Sequence, residues 1–356
     1  MRVLVVNAGS SSVKLSALSA DDNVAAQRQI DAPHGDFLIE ELETALASMP
    51  GTDAVGHRVV HGGTRFRSGV RIDARVVAEL RDLVDLAPLH QPPALSAQAI
   101  TERLLPGVPQ VACFDTAFHA SLGPAAATYA VPRQWAQKWG LRRFGFHGLS
   151  HAYAARRAAE LTGARRVVTC HLGAGASLAA VADGHSIDTT MGFTPLDGLG
   201  MATRSGSGDP GMLLWLLERG HVTVTQLRDG LERNGGLAGL CGDSDMRRLL
   251  ERDDDEAAVA LAVYGHRLRA GIASMTAALG GVESLVFTGG VGEHAAEIRQ
   301  LALDGLAYLG FELDPARNES PEGDAEIGRL GAPVRILRVR AREDLEIARQ
   351  VREALR

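Results

Sequence analysis

Two stretches of this chain share one local design, and this repetition constrains the fold more than any other feature of the sequence. Residues 3–6 are a short apolar run, which is followed by a small-residue turn at 7–12 and by a second run that contains Lys14. Residues 166–178 repeat the design, with Gly173 in the place of Gly9. Each pattern is typical of a β-hairpin. The repetition predicts two related lobes that each present a hairpin loop to a shared cleft.

The composition of the two turns suggests a ligand for them. Glycine, alanine, serine and asparagine leave backbone N–H groups and hydroxyls exposed, which are the groups that hold a phosphate. Taken alone, the first turn also fits an ordinary tight hairpin whose serines bond their own backbone. Two such loops facing one cleft favour a polyphosphate ligand.

The composition excludes several classes of protein. The chain has 356 residues, of which 46% are hydrophobic, so it can bury a core large enough for two domains. No apolar run is long enough for a signal peptide or a membrane span, so we expect a cytoplasmic protein. A net charge of -6 argues against a nucleic-acid or anionic membrane surface. Cys113, Cys170 and Cys241 lack the spacing of a disulfide framework or a zinc site.

Strands alternate with helices along the whole chain, which predicts an α/β protein. We predict a first lobe of residues 1–120 with 344–356 and a second lobe of residues 121–343. Residues 87–93 contain three prolines and are predicted as a rigid loop. Residues 288–293 are predicted as a glycine-rich turn before a helix. Asp209 and Pro210 are predicted to begin a helix that ends at Gly220.

Charged side chains in the loops carry the predicted chemistry. The chain has neither a P-loop motif nor the glycine pattern of a dinucleotide-binding turn, which argues against a P-loop kinase and an oxidoreductase. The loops instead hold Arg58, His90, Asp115, His147 and Arg204. Phosphoryl transfer requires positive charge on the phosphoryl oxygens, a metal ion and aligned reactants. Arginine and histidine side chains can supply the positive charge, a carboxylate can bind the metal ion, and the phosphate-binding turns can align the reactants.

Seven motifs extend the argument to a known family. They are NAGSSSVK (7–14), GHRVVHGG (56–63), APLHQPP (87–93), FDTAFH (114–119), FGFHGLSH (144–151), MGFTPLDGLGMATRS (191–205) and TGGVGE (288–293). Together they resemble the acetate kinase family, which belongs to the superfamily of sugar kinases, actin and heat-shock chaperones. The resemblance covers nearly the whole chain. It implies a two-lobed, actin-like and ribonuclease-H-like duplicated fold with an active-site cleft between the lobes.

The resemblance also implies roles for individual residues. Arg58 and Arg204 would hold the substrate carboxylate and the transferred phosphoryl group, with His147 bonded to that group and His90 supporting it. Asp115 would organise magnesium and the arginines. The remaining residues fall into three groups. Nucleotide and phosphate contacts would come from Asn7, Ser10, Ser12, Lys14, His171, Gly173, Gly175, Asp245, Arg247, Gly289, Gly290 and Gly292. The acid pocket would consist of Arg58, Val60, Leu89, Phe146 and Pro195. Asn7 and Glu343 would lie at the metal, which is Mg²⁺ or alternatively Mn²⁺.

The chain departs from the family pattern mainly on the nucleotide side. Ala174 and His294 occupy positions where the family usually has asparagine, and Ser207 stands where an acid is more common. The segment between Lys14 and Arg58 is also shorter than in typical members. Phosphoryl donors other than ATP, such as GTP or pyrophosphate, are therefore kept as alternatives.

The resulting prediction is a kinase that moves a phosphoryl group reversibly between ATP and a short-chain carboxylate. Acetate is the predicted acid, with propionate or butyrate as alternatives. The same fold could instead serve a nucleotide-binding regulator, although a regulator would not need Arg58, Asp115, His147 and Arg204 together. The predicted partners are the two small substrates, and the resemblance implies a homodimer.

Overall fold

The computed structural model describes residues 1–9, 12–32, 37–88, 90–319 and 321–356. The predicted site residues Ser10 and Leu89 lie outside these ranges. The chain forms two compact units. The first consists of Met1–Ala120, Phe146–Tyr153 and Arg342–Arg356, and the second of Ser121–Gly145 and Ala154–Ala341. Residues 146–153 and Glu343, which the sequence analysis assigned to the second lobe, thus belong to the first unit.

Each unit contains one six-stranded sheet. The strands of the first unit are β1 (Val3–Ala8), β2 (Ser12–Leu18), β3 (Val24–Asp31), β4 (Ala54–Val59), β5 (Val70–Arg71) and β6 (Gln110–Phe114). Those of the second unit are β7 (Arg166–Leu172), β8 (Ala176–Ala182), β9 (His185–Thr189), β10 (Ser284–Thr288), β11 (Ala325–Glu326) and β12 (Arg335–Arg338).

The helices complete both units. In chain order they are α1 (Ile39–Ala47), α2 (Ala74–Arg81), α3 (Gln91–Leu104), α4 (Pro124–Ala127), α5 (Arg133–Trp139), α6 (Gly148–Thr162), α7 (Pro210–Glu218), α8 (Val224–Glu232), α9 (Gly236–Cys241), α10 (Met246–Leu250), α11 (Asp255–Ala278), α12 (Gly289–His294), α13 (Ala296–Leu303), α14 (Pro315–Glu319) and α15 (Glu343–Ala354). In the described part of the chain, none of them is long and apolar enough to cross a membrane.

The two sheets have the same topology. The first has the order β3-β2-β1-β4-β6-β5, and the second, taken from its β9 edge, runs β9-β8-β7-β10-β12-β11. In both, the first three strands are antiparallel, the next two run parallel to the first strand, and a short antiparallel strand closes the edge. This is the duplicated α/β arrangement that the two hairpins predict.

Strand β1 shows how the first sheet is buried on both faces. Leu4 and Val6 pack into a cluster that includes residues of α1 and α3, whereas Val3 and Val5 pack against Ile347 and neighbouring residues of α15. A strand covered on both faces is apolar throughout, which explains the short continuous run at the start of the chain. The packing of α15 brings the first residue of that helix to the first unit.

Two local predictions are wrong, and each has a physical reason. Residues 91–93 begin helix α3, because proline is tolerated in the first turn of a helix, where its missing N–H would be unbonded. Residues 289–293 form helix α12. Helix α7 confirms the prediction that a helix begins at Asp209 and Pro210 and stops at Gly220. It starts after the cap Asp209, whose side chain accepts a hydrogen bond from Gly211 N at 2.8 Å, and it ends at Glu218, two residues before Gly220.

Candidate active site

The first unit contains an ion pair at the carboxyl ends of two neighbouring parallel strands. Arg58 lies on β4, and Asp115 follows the last residue of β6. Arg58 Nη2 and Nε donate to the same oxygen, Asp115 Oδ2, at 2.7 and 3.0 Å. The Asp115 side chain is only 1% exposed, and that of Arg58 14%. The pair lies at the sheet edge where α/β proteins bind ligands.

Two further polar residues extend this pair. Arg58 Nη1 donates to Asn7 Oδ1 at 3.3 Å, and Asn7 Nδ2 donates to Glu343 Oε2 at 2.8 Å. Asn7 lies near the end of β1, and Glu343 is the first residue of α15, where the helix dipole favours a negative charge. The chain of contacts therefore joins Asp115, Arg58, Asn7 and Glu343, which the sequence analysis named separately.

One side-chain oxygen of Asp115 has no hydrogen-bond partner among the described residues. Asp115 Oδ1 is buried and accepts no hydrogen bond within the described residues. Burial raises the pKa of the Asp115 carboxyl to about 6, the Arg58 guanidinium opposes this, and Glu343 adds to it. The Arg58 guanidinium, which bonds Oδ2, favours the charged form of this carboxyl. Burial acts to lower the pKa of Arg58, but the two carboxylates outweigh it and raise that pKa. A buried, charged and unbonded oxygen is suited to a cation or a donor group.

The backbone of Asp115 also anchors the segment that contains His147. Gly148 N donates to the backbone oxygen of Asp115 at 2.9 Å, and a Cβ atom on Gly148 would lie 2.1 Å from that oxygen. His119 Nε2 donates to Phe146 O at 3.0 Å. Between these two bonds His147 has a left-handed backbone, with φ of 55°. This conformation is uncommon for a residue other than glycine and persists because its neighbours enforce it.

Other predicted residues of the first unit are placed as follows. Val60 and Phe146 are buried, and the Phe146 ring lies edge-on to His61 at 5.6 Å between ring centroids. His90 immediately precedes α3. Lys14 is exposed on β2 and pairs in register with Asn7, so it lies on the strand after the turn. Ser12, at the start of β2, is buried.

In the second unit, three of the predicted motifs meet at the end of β7. The turn that follows this strand is closed by Gly173 N, which donates to Gly175 O at 3.0 Å. Ala202 N, from the 191–205 loop, donates to Ala174 O at 3.1 Å. Gly289, at the start of α12, approaches β7 so closely that a Cβ atom would lie 2.7 Å from Leu172 O. Its φ of 79° is left-handed as well, so both the close approach and the backbone conformation require glycine at this position.

Arg204 differs from Arg58 in its surroundings. Burial lowers the pKa of the Arg204 guanidinium, while Glu232 opposes that shift. Among the described residues its side chain contacts Met201 Sδ, at 4.0 Å, and forms no ion pair. The loop is held by Met201 N, which donates to Arg204 O at 2.9 Å. A half-buried guanidinium with no carboxylate partner among the described residues is suited to an anionic ligand.

Two predicted phosphate-binding residues pair with each other. Asp245 caps helix α10 and bonds Arg247, with Nη2 and Oδ2 3.0 Å apart. The Arg247 side chain is 87% exposed. No described contact joins this pair to the β7–β8 turn or to α12. Pro195 is half-buried in the 191–205 loop, His171 is half-buried near the end of β7, and Gly290 has open space beside it.

The sequence analysis missed the residues that hold the 191–205 loop. Arg143 Nη1 donates to the backbone oxygens of Thr190 and Met191 at 3.0 and 2.9 Å. Tyr129 Oη accepts a hydrogen bond from Phe193 N at 2.8 Å. Arg143 directly precedes the FGFHGLSH motif, but most of its bonds go to backbone oxygens, and its one carboxylate partner, Asp197 at 3.4 Å, is 54 positions away, so no local sequence pattern reveals it.

The duplicated topology, the two small-residue hairpin turns and the buried carboxylate–arginine cluster are together those of a two-unit phosphotransferase. Comparison with known proteins narrows this class. The family model of the acetokinase family matches residues 32–349, and the chain belongs to that family. The predictions of the family, the duplicated fold and the enzyme class are thereby confirmed.

Individual relatives match this chain along its full length. The chain is 43% identical over 405 residues to the acetate kinase of Gloeobacter violaceus, and the match covers 100% of both chains. Among solved structures it is similar to Porphyromonas gingivalis acetate kinase, with 34% identity, a TM-score of 0.91 and 100% of each chain covered. It is similar to a propionate kinase from Francisella tularensis as well, with 34% identity, a TM-score of 0.90 and 99% of each chain covered.

Proposed function

We propose that this protein transfers a phosphoryl group reversibly between ATP and acetate, giving acetyl phosphate and ADP. The observation that carries the proposal is the full-length match to curated relatives that are named acetate kinases. The buried cluster of the first unit supports it, because Arg58 and Asp115 supply the positive charge and the ionised carboxylate that phosphoryl transfer requires.

The chemical step needs no covalent enzyme intermediate. A carboxylate oxygen of acetate attacks the terminal phosphorus of ATP in line, the new O–P bond forms, and the bond from phosphorus to the bridging oxygen of ADP breaks. Arg58 binds the acid, and Arg204 neutralises charge on the transferred group. The absence of an ion pair at Arg204 within the described residues supports that role, because its guanidinium needs an anion as a partner.

The histidines and the apolar residues complete the acid site in this proposal. His147 donates a hydrogen bond to the transferred group, and its enforced left-handed backbone holds it ready to do so. His90 supports the group from the start of α3. Val60, Leu89, Phe146 and Pro195 limit the length of the acid, since each additional methylene changes binding by only about 1–3 kcal/mol unless it clashes.

We also propose that magnesium, or alternatively manganese, binds at the first-unit cluster. The fit rests on Asp115 Oδ1, the buried oxygen that accepts no hydrogen bond in the described chain. Glu343 supplies a second carboxylate, and Asn7, bonded to both Arg58 and Glu343, links the two. Two carboxylates suit magnesium, because it usually binds one or two carboxylates together with phosphates. When bound, the ion neutralises phosphate charge.

The residues proposed to bind the nucleotide lie mainly in the two hairpin turns and in α12. Ser10, Ser12 and Lys14 contact phosphates from the first hairpin. The convergence of the second hairpin and α12 at the end of β7 supports a joint role for His171, Gly173, Gly175, Gly289, Gly290 and Gly292. Asp245 and Arg247 are proposed to contact the nucleotide as well, although they bond each other in this structure.

A hydroxamate assay for acyl phosphate tests the proposal. Purified protein with Mg²⁺ is assayed with acetate, propionate and butyrate, each against ATP, GTP and pyrophosphate. Product from ATP and acetate is expected, and Asp115→Asn should reduce it by roughly 10³-fold. Asp53→Asn is the matched control, because Asp53 also pairs with an arginine but on the surface, at 2.8 Å from Arg2 Nη2. Absence of product from every pair would refute the proposal.

A second candidate substrate is propionate. The similarity to the Francisella propionate kinase is as high as that to the Porphyromonas acetate kinase, and this is what favours it. The ratio of kcat/KM for the two acids decides between them. A higher value for propionate would reassign the substrate and leave the reaction unchanged.

We further propose a homodimer in the cytoplasm. Helix α7 supports the dimer, because it leaves large apolar side chains at the surface. None of its residues is buried, and Met212, Leu214 and Trp215 are each about half exposed. Apolar patches of this kind are usually covered in an assembly. Light scattering of the wild type and of Leu214→Glu tests it. A monomeric wild-type protein would refute the dimer, and cell fractionation tests the location.

A further inference from the structure

Helix α12 is held at its carboxyl end by a buried arginine that has no carboxylate partner among the described residues. Arg299, on α13, is 1% exposed. Its Nη1 donates to Gly292 O at 2.9 Å and to Glu293 O at 3.0 Å. Nε donates to Asn318 Oδ1 at 2.7 Å, and Nη2 donates to Asn318 O. No ion pair of Arg299 occurs in the described part of the chain, and burial lowers the pKa of its guanidinium to about 10.

A second arginine acts on the same carbonyl group. Arg338 Nε donates to Glu293 O at 3.3 Å, and its Nη1 donates to Gly323 O. The Glu293 side chain is held as well, since its Oε1 accepts a hydrogen bond from Ala341 N at 2.8 Å. The last carbonyls of a helix lack partners within the helix, and a guanidinium both bonds them and complements the helix dipole. The carboxyl end of α12 is therefore attached to α13, α14 and the end of β12.

The amino end of α12 lies against the second hairpin. Gly289 approaches Leu172 of β7 so closely that a Cβ atom on Gly289 would lie 2.7 Å from Leu172 O. Gly289 itself contributes no side chain to this contact. The hydrogen bonds that Arg299 and Arg338 donate at the other end of α12 therefore help to fix the position of Gly289 and Gly290 relative to the β7–β8 turn.

We propose that Arg299 is a positioning residue for the nucleotide. It holds α12 so that the backbone of Gly289 and Gly290 and the turn at Gly173 form one surface for the phosphoryl donor. The inference rests on the proposed nucleotide role of α12 and adds the residue that maintains it. A buried cation that bonds three backbone oxygens and one amide oxygen, with no carboxylate among its described partners, is costly to desolvate, which makes a purely space-filling role a poor explanation.

The test is Arg299→Lys, because lysine keeps the charge but cannot bond the carbonyls of Gly292 and Glu293 together with Asn318. We expect the KM for ATP to rise roughly tenfold, with the KM for acetate unchanged. Arg269→Lys is the matched control. Arg269, on α11, also bonds a backbone oxygen associated with α13, that of Leu301 at 3.3 Å, but it makes no described contact with α12.

Three outcomes are informative. A selective rise in the KM for ATP in Arg299→Lys, absent from Arg269→Lys, supports the inference. Equal changes in both KM values, or a loss of thermal stability alone, would overturn it. If Arg299→Lys does not fold, Arg338→Lys decides, because it loses the bond to Glu293 O and should raise the KM for ATP in the same direction. A wild-type protein that makes no acyl phosphate would refute the proposed function instead.

Discussion

Arg58 and Asp115 form a buried ion pair in which both guanidinium donors bond one carboxylate oxygen, Oδ2, at 2.7 and 3.0 Å. The other oxygen, Oδ1, is buried without a hydrogen bond in the described chain. The arrangement holds the carboxylate in a fixed orientation and keeps one oxygen available. It is the geometry expected where a carboxylate must be charged and must face a ligand at the same time.

Replacing Arg58 by lysine tests whether the shape of the guanidinium matters as well as its charge. Lysine can bond Asp115 or Asn7, but its single ammonium group cannot reach both in the way that Nη2 and Nη1 do. We expect Arg58→Lys to lower kcat by roughly 10³-fold, close to the loss in Arg58→Ala. Steady-state kinetics with acetate and ATP measures it. Near wild-type activity in the lysine variant would show that one positive charge is sufficient.

Gly148→Ala tests the coupling between Asp115 and His147. The new Cβ atom would lie 2.1 Å from Asp115 O, so the backbone at 146–148 must move away and lose its bond to that oxygen. We expect kcat/KM for acetate to fall by roughly 10²-fold, because misplacement of reactive groups by about 1 Å has that effect. Gly230→Ala is the control, because nothing lies within 4 Å of its Cβ position. Equal activities of the two soluble variants would contradict the coupling.

Because of the buried His57, we expect the folded protein to lose stability at acidic pH. It is buried with Nε2 2.8 Å from Gln110 Oε1, and burial lowers the pKa of the imidazole from 6.5 to about 4, although the bond to Gln110 opposes this. Between pH 6.5 and pH 4 the unfolded chain binds a proton at this site and the folded chain does not. Stability therefore falls as the pH falls, by about 2 kcal/mol at pH 5 for this one group.

Urea unfolding at pH 7.5 and pH 5 measures this effect. His57→Gln retains an amide donor for Gln110 and should lose about 2 kcal/mol less of its unfolding free energy between the two pH values than the wild type loses. His185→Gln, which changes an exposed histidine, is the control. The same pH dependence in all three proteins would show that His57 does not contribute to it.

Ala174→Asn tests the departure from the family in the second hairpin turn. Ala174 is exposed, and its carbonyl oxygen rather than its side chain bonds Ala202, so an asparagine side chain fits without disturbing the loop. One added amide donor should lower the KM for ATP by roughly fivefold and leave the KM for acetate unchanged. Ala174→Val adds bulk without a donor and should not lower it. An unchanged KM for ATP in Ala174→Asn would place this side chain away from the phosphates.

The parts of the fold that were predictable are those with a local physical signal. Both hairpins follow from an apolar run, a small-residue turn and a return strand, and helix α7 follows from its cap Asp209 and from Pro210. Helix α12 was missed because its glycines have a low helix propensity. Packing against Leu172 and hydrogen bonds from Arg299 outweigh that propensity, and no sequence window contains either contact.

The candidate site divides in the same way. The sequence by itself identified the family, because the motifs around Arg58, Asp115, His147 and Arg204 are continuous and specific, and it named these residues as the candidates for the chemistry. Only the tertiary structure decided how they are paired. Asn7 and Glu343 are 336 positions apart and bond each other. Arg58 and Arg204 both lie in motifs of the family but have different surroundings, since Arg58 bonds a carboxylate and Arg204 contacts a methionine sulfur. Hydrogen bonds and desolvation depend on distances in space, and a linear chain specifies these only after its strands and helices have packed.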